Sequence, residues 1–62
     1  MEDVKIEFNL TDAQALALAQ FVKRVRWTEV RQNAVGDDEA DLMMDAMYEV
    51  AKALAEAGYA PR

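Results

Sequence analysis

Asp37-Asp38-Glu39-Ala40-Asp41-Leu42-Met43-Met44-Asp45-Ala46-Met47-Tyr48-Glu49-Val50-Ala51-Lys52-Ala53-Leu54-Ala55-Glu56 is the stretch whose reading decides the fold. Met43, Met47, Val50 and Leu54 recur every three or four residues, with Ala40 and Ala51 beside them, which is the period of one apolar helix face. Asp41, Asp45, Glu49 and Glu56 share the opposite face. Asp37 or Asp38 is expected as the N-cap, and the acids of the first turn suit the positive end of a helix. At the other end Gly58 stands where a left-handed C′ residue belongs. Tyr59 is placed to fold back on Leu54, and Pro61 blocks continuation. The spacing predicts a helix over about 38–57.

Upstream, Thr11 and Gln14 have the spacing of a capping box, with Asp12 in the first turn. Ala15, Leu18, Phe21, Val22 and Val25 then fall on one helical face. At Trp27 the register slips, and Thr28 followed by Glu29 reads as a fresh N-cap. A long helix over about 12–26, a kink, and a short helix over about 28–34 are expected.

Nearest the N-terminus, Val4, Ile6, Phe8 and Leu10 alternate with Lys5, Glu7 and Asn9, the period-2 pattern of a half-buried strand over about 4–10. A single strand must find a partner for its backbone groups. Three partners are open: a second copy, which would give a homodimer through the N-terminal strand, another protein, or the tail Tyr59-Ala60-Pro61. A fourth reading is an extended arm that packs its apolar side chains on the helices. The expected fold class is mainly α, formally α+β. In it one N-terminal strand precedes two long helices packed as a helical hairpin, with the short kinked helix between them, in a single domain over 1–62.

Composition narrows the chemistry. The 62 residues include no cysteine and no histidine, which removes disulfides, thiolate nucleophiles, the commonest metal ligand and the usual general base. No cofactor and no catalytic residue is expected, and the chain reads as a non-enzyme. So short a chain buries only about 60% of the surface its unfolded form exposes, so oligomerisation or very regular helix packing must supply stability. No apolar run approaches a membrane span, and the start Met1-Glu2-Asp3 is the reverse of a signal peptide. From these follow the expectations of a complete small gene product in the cytoplasm, away from membrane.

Seven basic against twelve acidic residues give a net charge of −5. That disfavours direct contact with nucleic acid and favours a basic partner. The charge is polarised: Lys23, Arg24, Arg26 and Arg31 surround Trp27, whereas seven acids lie between Asp37 and Glu56 against Lys52 alone. Paired acids on a solvated face lack the desolvation that general acid–base work needs. Asp37, Glu39 and Asp41 mimic the opening of a calcium-binding EF-hand loop, but Leu42 replaces its glycine and Tyr48 its bidentate glutamate. A row of carboxylates can instead occupy the basic groove of a nucleic-acid-binding protein. The basic cluster has two readings: a nucleic-acid patch, or internal pairing with the acids of the last helix. Met44 and Tyr48 form the flank of the apolar stripe, either an adaptable binding edge or the border of the core.

The strand-helix-helix order resembles the ribbon-helix-helix repressors and antitoxins, which implies a dimeric DNA-binding regulator with Lys5, Glu7 and Asn9 facing the bases. Glu7 in mid-ribbon and the acids Asp37, Asp38, Glu39 and Asp41 at the helix start depart from that pattern, because they repel phosphate. A closer resemblance is to small uncharacterised proteins of bacteria and their prophages. It rests on Leu10-Thr11-Asp12, Ala19-Gln20-Phe21-Val22-Lys23-Arg24, Asp38-Glu39-Ala40, and the ending Ala53-Leu54-Ala55-Glu56-Ala57-Gly58-Tyr59-Ala60-Pro61-Arg62. In size and acidity the chain is also similar to phage anti-CRISPR proteins. The expected partner is then a basic host protein, such as a nucleic-acid-binding effector. Asp37, Asp38, Asp41, Asp45 and Glu49 are the expected contacts, and Trp27 and Tyr48 the apolar anchors.

Overall fold

A computed structural model describes residues 2–59 and contains three helices: α1 (Asp12–Arg24), α2 (Trp27–Gln32) and α3 (Asp37–Glu56). The start of α1 follows its sequence signals closely. The Thr11 hydroxyl accepts from the Gln14 N–H at 3.1 Å, and the Gln14 side chain accepts from the Thr11 N–H at 2.9 Å. A box of this kind stabilises a helix start by about 1 kcal/mol.

Between α1 and α2 the chain is not merely kinked. Val25 (φ −65°, ψ 135°) and Arg26 (φ −111°, ψ 159°) are both extended, so α1 ends at Arg24 and α2 is a separate helix. Thr28 is not its cap, because Arg26 occupies that position and its backbone N–H donates to the Glu29 carboxylate at 2.8 Å. At α3 the cap is Gly36 rather than Asp37 or Asp38, in fully extended backbone and with no side-chain acceptor. Glu39 instead reaches back to the Val35 N–H at 3.0 Å, which does the work of a cap from inside the helix.

The end of α3 forms a Schellman motif. Tyr59 N–H donates to the Leu54 carbonyl at 2.8 Å, Gly58 N–H donates to the Ala55 carbonyl at 3.0 Å, and Gly58 sits at φ 96°. Pro61 and the tail residue Ala60 lie outside the described residues.

The expected N-terminal strand is absent: among the described residues the protein is all-helical, with no strand and no sheet. Residues 2–10 belong to no helix or strand: alternation over 4–10 favours an extended chain, but a ladder needs a second extended segment, and the rest of the described chain is spent on helices and their caps. No backbone hydrogen bond among the described residues involves 2–10. The segment is therefore an arm, and the ribbon that a ribbon-helix-helix reading requires is missing from the described chain. The α+β assignment is corrected to all-α for the same reason.

α3 is the spine. Both other helices pack on it, and they do not pack on each other. α1 meets its C-terminal part, where Ala15, Ala19 and Leu54 are buried and Leu18, Val22, Val50 and Tyr59 close around them. The alanines let the two helices approach closely. A hydrogen bond between the Tyr59 hydroxyl and Asp12 ties the end of α3 to the start of α1, so the two run antiparallel. α2 meets the N-terminal part of α3, with Val30 and Ala40 buried. Because α1 has a single neighbour, only a narrow stripe of it is covered. Phe21, expected on the core face, is consequently 56% exposed, while Ala19 is 3% exposed. No helix among the described residues is long and apolar enough to cross a membrane.

Candidate functional site

The acids of α3 divide into two groups by what they touch. Asp37 accepts from Arg31 Nε at 2.7 Å, while another nitrogen of the same guanidinium donates to the Ala34 carbonyl at 3.2 Å. Asp41 accepts from the Trp27 indole N–H at 3.2 Å. With Glu39 on the Val35 N–H, these three carboxylates fasten α2 and its following loop to the first turns of α3. The residues that mimic an EF-hand opening are thus turned toward three different partners. The Arg31–Asp37 pair is largely exposed and stabilises by no more than about 1 kcal/mol.

The second group, Asp38, Asp45, Glu49 and Glu56, is exposed and makes no ion pair among the described residues. Asp45 and Glu49, with Asp41, form a row along α3 at steps of roughly 6 Å. Like charges four apart oppose one another by a few tenths of a kcal/mol per pair, and only Lys52 shares the helix with them. Beside the row stands Tyr48, 69% exposed, whereas Trp27 is 41% exposed and already committed to Asp41. Met44 is half-buried, which makes it border rather than open edge.

The expected internal neutralisation by the basic cluster is realised at one residue. Arg31 pairs with Asp37, and Lys23, Arg24 and Arg26 form no ion pair with α3 among the described residues. Lys23 and Arg24 lie in the last turn of α1, where positive charge complements the helix dipole. The basic cluster thus touches the acids of α3 through Arg31 on Asp37 and Trp27 on Asp41, and neutralises neither Asp45 nor Glu49 among the described residues.

The strand reading of residues 4–10 leaves no second surface, whereas the alternative of an arm packing on the helices points to one. Val4, Ile6, Phe8 and Leu10 stand over an open groove of about 860 Å³. Ala46, Val50, Ala53 and Ala57 of α3 and its end line the groove together with Ala15 of α1. The alanine positions on α3 carried the signal, because a small-residue flank beside the Met43/Leu54 stripe extends the apolar face beyond what α1 covers.

One titration is set by this architecture. The hydrogen bond to Asp12 raises the pKa of the Tyr59 hydroxyl above 10.0, with burial and the Asp12 charge acting in the same direction. A pKa raised on folding contributes stability that is complete below the unfolded value and is lost as pH climbs through the folded one. Thermal melts between about pH 9 and pH 12 should therefore show stability falling above pH 10, and Tyr59→Phe should flatten that fall. An unchanged slope in the phenylalanine variant would remove the Asp12–Tyr59 contact as its cause.

The chain matches the model described as Family of unknown function (DUF7706) over residues 1–62, and it belongs to that family. No curated protein and no solved structure matches it.

Proposed function

We propose that this protein is a small, non-enzymatic binding protein of phage or prophage type, anti-CRISPR-like in mode. Its α3 carboxylates would occupy the basic nucleic-acid-binding surface of a host protein. The observation that carries this reading is the exposed row of Asp45 and Glu49, with Asp38 before it, without cationic partners among the described residues. α3 is about 30 Å long and bears seven carboxylates, about one per 4 Å of axis. A single strand of B-DNA carries one phosphate per roughly 3.4 Å, so the row, with one carboxylate per roughly 6 Å of a single face, would set a charge near every second phosphate position of a basic groove built for a strand.

Asp45 and Glu49 are the contacts with no structural duty. Asp37 and Asp41 present charge to the partner while also holding α2 in place. Tyr48 is the apolar anchor of the surface, since its ring lies open beside the row. Trp27 serves chiefly to orient Asp41.

The test is capture from a bacterial lysate on the immobilised chain, with and without Asp45→Lys and Glu49→Lys together. The wild-type chain should retain nucleic-acid-binding proteins that heparin or moderate salt releases. The double reversal should lower their recovery at least tenfold, because two favourable charge contacts become repulsive. If the same proteins are recovered by both forms, the carboxylate row is not the binding surface. If the wild-type chain recovers proteins that heparin does not release, the partner's site is not a nucleic-acid groove.

A further inference from the structure

The chain exposes more surface than a folded protein of its mass requires. The scaling for compact monomers gives roughly 4,000 Å² at 7.0 kDa, whereas this chain exposes 5396 Å². The surplus, about 1,400 Å², falls within the share one protomer gives to an obligate homodimer, on the order of 1,000–2,500 Å². The buried core has the complementary deficit. It consists of Ala15, Ala19, Val30, Ala40 and Leu54, three of them alanines, and the chain has no cysteine to staple it.

Much of the uncovered apolar surface is gathered in one place. Val4, Ile6 and Phe8 are 81%, 76% and 62% exposed although they stand over their own groove, so that groove does not bury them. The groove wall opposite them, Ala46, Val50, Ala53 and Ala57, has small side chains and leaves room for large ones. Among the described residues Glu7 and Glu49 are the only charged ones bordering it, so two chains of net charge −5 would meet on a face that is mostly uncharged.

We infer that the arm and groove are the seat of a second copy of this chain, each copy's Ile6 and Phe8 covering the other's Ala53 wall in a two-fold dimer. In such an isologous contact one arm–groove pairing implies its mirror, so a single modest contact is doubled. Asp41 and Asp45 do not line the groove, whereas Glu49 borders it, so the dimer would leave Asp41 and Asp45 of each copy open and bring Glu49 to the edge of the contact. The inference does not rest on the proposed binding function.

The test is the mass in solution of the full chain by sedimentation equilibrium from micromolar to millimolar concentration. Twice 7.0 kDa, falling toward the single mass on dilution, is expected. The melting temperature should also rise with protein concentration. Ile6→Asp with Phe8→Asp, and separately Ala53→Glu, place charge in a buried apolar contact and should raise the dimer dissociation constant about a hundredfold. A single mass at every concentration, with a melting temperature independent of concentration, would overturn the inference. So would variants that keep the wild-type mass profile. One further readout disrupts no contact. Chains carrying Phe8→Cys and chains carrying Ala53→Cys are mixed and oxidised with oxidised glutathione. The mixed disulfide should exceed its statistical share of the crosslinked product, and a merely statistical yield would overturn the arm-in-groove arrangement.

Discussion

Leu54→Ala is expected to unfold a large part of the protein at 25 °C. Leu54 is 8% exposed and is the one large side chain among the buried residues of the cluster that joins α1 to α3, with Leu18, Val22, Val50 and Tyr59 only partly buried around it. Removing a buried leucine costs about 2–5 kcal/mol, the upper part of that range applying where neighbours cannot collapse into the space. Here Ala15 and Ala19 face it from rigid helical backbone and have no side-chain length with which to fill a hole. A core this small supplies no more than about 3–5 kcal/mol in total, so the substitution removes most of it. Helix content followed by circular dichroism, with urea titrations at matched protein concentration, measures the loss. A midpoint within experimental error of the wild type would show that the Ala15–Ala19–Leu54 cluster is not what holds α1 to α3.

Ala40→Leu should destabilise by a comparable amount for the opposite reason. Ala40 is the most deeply buried residue described, with no exposed surface, and it lies in the part of α3 against which α2 packs. Three added carbons have no space there, and overpacking of this kind costs about 1–3 kcal/mol. α2 has only six residues and no other buried side chain than Val30, so it would separate rather than repack. Each kcal/mol lost lowers the melting temperature of so small a domain by roughly 4–8 °C. The predicted fall is therefore about 10–20 °C by the same scaling, accompanied by a red shift of Trp27 emission as its bond to Asp41 breaks. An unshifted Trp27 spectrum with an unchanged melting temperature would contradict the packing of α2 on α3 through Ala40.

The two substitutions bear on function differently. Leu54 lies far along α3 from the Asp37 and Asp41 contacts and would take down the whole fold, arm groove included. Ala40→Leu loosens the α2 joint while leaving the Asp45–Glu49 row on α3 in place. Partner capture that survives Ala40→Leu but not the double charge reversal would assign recognition to the row itself. Capture lost with Ala40→Leu at temperatures where α3 is still helical would give α2 and its loop a share in the contact.

The local signals in the sequence were largely legible. Thr11 with Gln14, Gly58 with Tyr59, and the Met43–Leu54 period each specify structure through neighbours within five residues, where backbone geometry is stereotyped. The row of carboxylates on one face of α3 was legible in the same way, since residues four apart on a helix share a face whatever the helix packs on. What failed were judgements that depend on a competitor. Thr28 is a good cap, but the Arg26 N–H already had Glu29 in reach. Asp37 is a good cap too, yet Arg31 holds its carboxylate. Phe21 has the right period for a core position, but no third helix stands beside α1 to bury it.

The N-terminal alternation of Val4, Ile6, Phe8 and Leu10 shows the limit most clearly. The pattern by itself determined an extended segment with one apolar side, because alternation in side-chain polarity is a property of the residues alone. Whether that segment becomes a strand depends on a second backbone at hydrogen-bonding distance, which is a tertiary matter, and within the described chain none is there. The stretch from Asp37 to Glu56 marks the opposite case. Its period determined the helix and its two faces, and tertiary packing decided only which acids were spent: Asp37 and Asp41 on α2, with Asp45 and Glu49 left open, because α2 is six residues long and reaches no further along α3.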